Sequence, residues 1–299
     1  MQIEADTRLK VVSVLLISLV LLLTTATVVW RPYSTDMLRY AWWRIHGPGY
    51  THGRIQSGNA SIAYATTGSG PPLVLLHGGL SSSLDWYALI PALSQHFQLW
   101  LIDTRGHGAS TLGVRTLGYD LLASDVIHVM DTLGLGRVDV AGWSDGGNAG
   151  LLLALHHPER VKRLVAISAN AHPDGLTKDA LASIQRIAVR EPSLFSRILY
   201  RWQSPEHMAL DRLRDEVTSM WQGDALLSDG ELATIKTPTL LIIGEHDDIA
   251  LEHAQDMDSL MPDSALEVIP GVGHNVPQAG SARLLASMLA FFRLTGDES

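Results

Sequence analysis

The sequence predicts an α/β fold: a mainly parallel sheet of eight strands with helices on both faces and a helical cap inserted ahead of the last two strands. Three observations carry this expectation. Short β-rich runs alternate with helical stretches from about Tyr50 onward, the pattern of parallel strands joined by helical crossovers. Between Asn170 and Ile235 the strand signals stop, and the chain becomes helical and aromatic, with Phe195, Tyr200, Trp202 and Trp221 among charged residues. A serine with glycines two positions either side, in Gly142-Trp143-Ser144-Asp145-Gly146-Gly147, stands between a strand candidate and an apolar helix.

Taken in order, residues 1–30 do not belong to this core. Val11 to Val29 carries no charge and is bounded by Arg8 and Lys10 before and Trp30 and Arg31 after. A single membrane span needs roughly 17–25 apolar residues, so the run is expected to be an uncleaved single-pass anchor that makes the membrane a partner. The alternative is a cleaved signal peptide, with Thr24-Thr25-Ala26 as a small-residue site, leaving a secreted or periplasmic enzyme. Cations on both flanks leave the orientation open. Residues 31–49, with Trp42, Trp43, Pro48 and Gly49, read as a linker. The core is expected over 50–170 and 235–299, with the cap at 171–234.

Strands are expected at Arg54–Gln56, Ser61–Thr66, Leu73–Leu76, Gln98–Ile102, Val138–Ala141, Leu164–Ile167, Thr239–Ile243 and Leu266–Ile269. Helices are expected at Leu84–Leu93, Tyr119–Leu133, Gly146–His156, Glu252–Ser259 and Ala282–Phe292. With 46% hydrophobic residues in 299, the chain can bury one substantial core. A net charge of −9 argues against nucleic acid as a partner. The absence of cysteine excludes disulfides, thiolate zinc sites and a cysteine nucleophile. No metal or cofactor is expected: His156 and His157 are adjacent on a helix and do not share a face.

Strand, tight turn and helix around Ser144 are the context a serine nucleophile requires, because the turn crowds its neighbours and admits only small residues two before and two after. A serine hydroxyl attacks at neutral pH only when a base takes its proton and a carboxylate orients that base. Leu240–Ile243 ends in Gly244-Glu245-His246-Asp247-Asp248, which puts acids at the carboxyl edge of the sheet; Asp247 is the expected acid, with Asp248 in reserve. Gly271-Val272-Gly273-His274 follows the next strand and supplies His274 as the base. After Leu75-Leu76, the loop His77-Gly78-Gly79 is expected to form the oxyanion hole, with N–H donors from Asp145 and from Gly79 or Leu80. His77 itself reads as structural, His246 as solvent-facing, and the charged turn Asp103-Thr104-Arg105-Gly106-His107-Gly108 as pinning loops. Trp143, beside the serine, is a candidate substrate contact.

These five motifs, in this order, resemble the α/β-hydrolase superfamily over about Tyr50 to Phe292. Gly142 to Gly147, together with Ser168-Ala169-Asn170-Ala171, is similar to the valacyclovir hydrolase, or biphenyl-hydrolase-like, group. The resemblance implies an esterase acting on a small-molecule ester through an acyl-enzyme. The nearer likeness implies amino-acid esters, with Asp145 receiving the substrate ammonium, although an acid in the first turn of a helix is also favoured by the helix dipole alone. A carbon–carbon bond hydrolase, an amidase, a lactonase or a non-catalytic binding protein on the same fold are the alternatives.

Overall fold

Eight strands make one sheet in the computed structural model, which describes residues 49–223 and 225–293. They are β1 (Thr51–Ser57), β2 (Ala60–Thr67), β3 (Pro72–Leu76), β4 (Gln98–Asp103), β5 (Val138–Trp143), β6 (Val161–Ile167), β7 (Thr239–His246) and β8 (Ser264–Gly273), and each expected strand falls within one of them. The spatial order is β1-β2-β4-β3-β5-β6-β7-β8. β2 runs antiparallel to both β1 and β4, and the remaining pairs are parallel. The central strands β3, β5 and β6 read as almost continuous apolar runs and are buried on both faces, as parallel strands covered by helices must be. Because β4 and β5 lie on opposite sides of β3, the chain reverses its winding there. The crevice at the carboxyl ends of β3 and β5 is therefore where such a sheet builds its site.

The longer helices are α1 (Tyr119–Thr132), α2 (Asp145–His156), α3 (Lys178–Val189), α4 (Leu194–Gln203), α5 (Leu210–Trp221), α6 (Leu251–Leu260) and α7 (Ser281–Arg293). Every residue of α2 from Asp145 to Ala154 is buried, since the helix is packed between β5, β6 and α1. Its Gly146, Gly147 and Gly150 let it lie close to the sheet; a methyl on Gly150 would meet Leu164 Cδ1 at 2.7 Å. Between β6 and β7 the chain forms α3, α4, α5 and short turns at Pro173–Gly175 and Asp229–Leu232, with no strand among the described residues. Thr177 and Ser193 start α3 and α4 by accepting the N–H groups of Ala180 and Ser196, the side-chain caps that free helix N–H groups require.

The expected single helix Leu84–Leu93 is instead a 3₁₀ turn, Ser83–Trp86, and one α turn, Ile90–Leu93. Pro91 has no N–H and its ring would collide with the carbonyl four residues back, so it is tolerated only in a first turn. The expected anchor Val11–Val29 and residues 31–48 of the linker lie outside the described residues. Among the described residues no helix is long and apolar enough to cross a membrane.

Two buried ion pairs brace the sheet. Asp139 and Arg163 face each other in register on β5 and β6 with two contacts of 2.8 and 2.7 Å. Arg105, from the turn after β4, makes two contacts of 2.7 Å to Asp125 on α1. The paired geometry matches a planar guanidinium to a carboxylate and compensates both buried charges.

Candidate active site

β5 ends at Trp143 and α2 begins at Asp145, so Ser144 alone makes the turn, with φ 53° and ψ −119°. Such a backbone is strained for a residue with a Cβ and persists only where its surroundings force it. The glycines are what permit it. A Cβ on Gly142 would run into the Gly146 carbonyl, and one on Gly146 into the Leu76 carbonyl of β3.

His274, just past β8, brings Nε2 to 3.0 Å from Ser144 Oγ and Nδ1 to 2.7 Å from Asp247 Oδ1. Asp247 receives more than the imidazole: Oδ2 accepts from Ser168 Oγ at 2.6 Å and Gly244 N–H at 2.9 Å, and Oδ1 accepts from Ile249 N–H at 3.2 Å. Burial pushes the Asp247 carboxyl up, but the hydrogen bond and charge of His274, with Ser168 and Gly244, outweigh it and hold the group below its ordinary 3.8. Burial lowers the His274 imidazole, and Asp247 more than reverses this, leaving it above its ordinary 6.5. The serine, histidine and carboxylate expected from the sequence thus form one chain of hydrogen bonds. Asp248 lines the cavity beside them without meeting the imidazole at Nδ1.

The loop after β3 is held from beneath. His77 Nε2 accepts Thr104 N–H at 2.9 Å, which leaves Nδ1 as the donor to Gly78 O at 2.7 Å. The buried Asp85 accepts Gly78 N–H at 3.2 Å and Ser81 Oγ at 2.5 Å. Leu80 N–H, one of the two alternative oxyanion donors, is already committed to His107 Nε2 at 3.0 Å. Burial lowers His107 to about 3, so it is neutral and accepts there, while its Nδ1 donates to Arg105 O at 2.9 Å. Among the described residues no acceptor takes the N–H of Gly79 or of Asp145, and both residues line the same cavity as Ser144 and His274. The charged turn after β4 pins loops as expected, since Asp103 accepts from Ser83 and Ala109 N–H, each at 2.9 Å.

That cavity, of about 230 Å³, is walled on the cap side by apolar residues including Leu176, Ile184 and Met220. Trp143 lines it too, and its indole N–H donates to the His274 carbonyl at 2.8 Å, so it also positions the imidazole. Asp145 is buried. Its Oδ1 accepts from Tyr119 OH at 2.9 Å and from Trp221 Nε1, on the cap helix α5, at 2.7 Å. Its Oδ2 has no partner among the described residues. Burial pushes this carboxyl up to about 6, against the lowering effect of Trp221, Tyr119 and the charge of His274.

Sequence reasoning did not assign Ser168, Tyr119 or Trp221 to the site. Ser168 had a readable signal, because it stands at the carboxyl end of β6, on the edge that carries Ser144 and Asp247. Trp221 had none beyond being aromatic, since its approach depends on how α5 is turned over the sheet. Among the described residues no group of three or more histidines and acids is arranged to hold a metal.

Residues 71–188 match the family model described as the alpha/beta hydrolase fold. Across a longer span, the chain is 31% identical over 239 residues to the pimeloyl-[acyl-carrier protein] methyl ester esterase of Nitrosomonas europaea, covering 72% of this chain and 93% of that one. The chain belongs to the α/β-hydrolase family. It is an esterase-like hydrolase. A protein of Caulobacter sp. named as a carbamate hydrolase, RutD, is 30% identical over 269 residues, 77% of this chain and 97% of its own. The enol-lactonase of Burkholderia xenovorans LB400 superposes with a TM-score of 0.64 at 22% identity, over 81% of this chain and 100% of that one, and shows the α/β-hydrolase fold alone.

Proposed function

We propose that this α/β-hydrolase cleaves small to medium carboxylic esters through an acyl-enzyme on Ser144. The observation that carries the reading is the contact of 3.0 Å between Ser144 Oγ and His274 Nε2, continued at 2.7 Å to Asp247. In this reading His274 takes the serine proton as Oγ attacks the ester carbonyl, and the developing oxyanion rests on the N–H groups of Gly79 and Asp145 at the positive end of α2. The imidazolium then protonates the leaving alcohol, and a water activated by the same histidine releases the acid. Asp247 holds the tautomer that keeps Nε2 free to accept. A cavity of about 230 Å³ with an apolar cap wall suits a short acyl or alcohol group better than a polymer.

Asp145 extends the reading to amino-acid esters. With its carboxyl pushed up to about 6, it is mainly ionised at neutral pH, and its unpartnered Oδ2 suits an ammonium group. Asp145→Asn removes that charge while leaving the backbone N–H in place. The apolar run Val11–Val29 supports tethering of the enzyme to a membrane. Alkaline extraction of membranes carrying the full chain tests this, because a spanning chain stays with the lipid and a cleaved or peripheral one is released.

The function is tested by turnover of matched p-nitrophenyl, amino-acid and lactone esters by the full chain in detergent. Wild type is expected to hydrolyse short p-nitrophenyl esters, and Ser144→Ala to lose turnover by about 10⁴-fold or more. Turnover that survives Ser144→Ala, or products showing carbon–carbon cleavage in preference to ester cleavage, would contradict the reading.

A further inference from the structure

A second cleft, of about 470 Å³, adjoins the cavity that holds Ser144. The two share Ser183 and Ile187 of α3 as lining, and Leu80, next to Gly79 of the oxyanion loop, closes the other side. The catalytic cavity has an apolar cap wall, whereas three arginines line this cleft: Arg186, Arg190 and Arg214.

Their partners differ. Arg214 is compensated by Asp215 at 2.7 Å and by Asp211 at 3.6 Å. Glu191, the acid in the lining, is taken by Arg197, which points to it from α4. Arg186 donates to the Ser183 hydroxyl, and neither Arg186 nor Arg190 has a carboxylate partner among the described residues. Arg186 stands in the last turn of α3 and Arg190, four residues on, is the extended residue that caps its end. The chain as a whole carries a net charge of −9, so its general field repels anions, and attraction here has to be local. Two guanidinium groups without a carboxylate partner among the described residues, in a cleft that shares its lining with the cavity of Ser144, are suited to a carboxylate or a phosphate, which they can grip with paired hydrogen bonds.

We propose that this cleft is an anion subsite, and that the enzyme prefers esters bearing a carboxylate or phosphate at the end remote from the scissile bond. The inference rests on the ester-hydrolase reading of Ser144 and names a substrate class for that same site. Arg186 and Arg190 recognise the anion; Arg214 and Ser183 shape the cleft around it.

The test uses substrate pairs that differ only in the remote group, given to the full chain in detergent. One pair is a mono-p-nitrophenyl dicarboxylate against its remote methyl ester, which places the anion on the acyl side. The other is the butyrate of a hydroxyalkyl phosphate against the butyrate of the parent diol, which places it on the alcohol side. The ratio of kcat/KM, anionic over neutral, is read for wild type, for Arg186→Gln/Arg190→Gln and for the lysine pair. Arg54→Gln, on the edge strand β1, is the control for losing a surface arginine away from the cleft. Wild type is expected to favour the anionic member of one pair by about tenfold, less at high salt. The ratio is expected to fall towards one in the glutamine variant, to be partly kept by lysine and to be unchanged in Arg54→Gln. The pair that shows the preference tells which of the two is recognised, a carboxylate carried on the acyl side or a phosphate carried on the alcohol side. Turnover of the neutral esters with no anion preference in either pair overturns the subsite and leaves the hydrolase reading standing. No turnover of any ester overturns the hydrolase reading, and the subsite with it.

Discussion

Asp247 and Asp145 are both buried, and both act on the charge of His274, yet their surroundings are opposite. Asp247 accepts from the imidazole, a hydroxyl and two backbone N–H groups, and is held below 3.8. Asp145 accepts two side-chain donors on one oxygen, has no partner on the other among the described residues, and is pushed up to about 6. Burial acts on both in the same direction, so the number and aim of the donors decide the sign. Asp247 is a carboxylate with its acceptor capacity used up, suited to holding a histidine still. Asp145 keeps one buried oxygen without a partner among the described residues, packed against Gly79.

The largest expected effect that tests this contrast is on catalysis. Asp247→Asn should lower kcat by about 10³- to 10⁴-fold, because an amide can present its NH₂ to Nδ1 and favour the wrong tautomer. The residual activity should also move its acidic inflection to lower pH, since Asp247 is what raises His274 above 6.5. Asp145→Asn should instead spare neutral esters and lower kcat/KM for amino-acid esters alone.

Stability against pH should separate the two carboxylates next. A folded pKa raised to about 6 from 3.8 means that Asp145 favours the fold in its protonated form, below about pH 4, and that this contribution is lost as pH rises through about 6. Between pH 4 and 7 the wild type should therefore lose roughly 2–3 kcal/mol relative to Asp145→Asn, read by urea unfolding. Asp247 has the opposite sign: its contribution is present above 3.8 and is lost as pH falls through its depressed folded value. Parallel pH trends for the two asparagine variants would break the comparison.

Smaller effects follow from the donors. Ser168→Ala removes one hydrogen bond to Asp247, and should cost on the order of tenfold in kcat with KM little changed. Trp221→Phe removes the cap's donor to Asp145 and should raise that group further, visible as a shift to higher pH of the range in which amino-acid esters are preferred.

Much of this arrangement was legible in the sequence, and the parts that were not have a common cause. The strands could be placed because β-rich runs and their turns are local signals, and the meeting of Ser144, Asp247 and His274 because each sits in a short glycine-marked loop at a strand end. Pro91 could have been read as breaking Leu84–Leu93, since its missing N–H is also a local fact. The choice between Gly79 and Leu80 could not, because it depends on His107, 27 residues away from Leu80, meeting that N–H. Trp221 lies 76 residues from Asp145 and reaches it only through the docking of α5. The cleft between Arg186 and Arg190 likewise needed the position of Leu80 to become a cleft.

The central claim is that Ser144 is a nucleophile activated by His274, and labelling of the full chain by a fluorophosphonate probe tests it most directly. The account predicts stoichiometric labelling located on Ser144 by peptide mapping, lost in Ser144→Ala and strongly slowed in His274→Ala. A folded chain that takes up no probe, or one labelled equally well after Ser144→Ala, would contradict it.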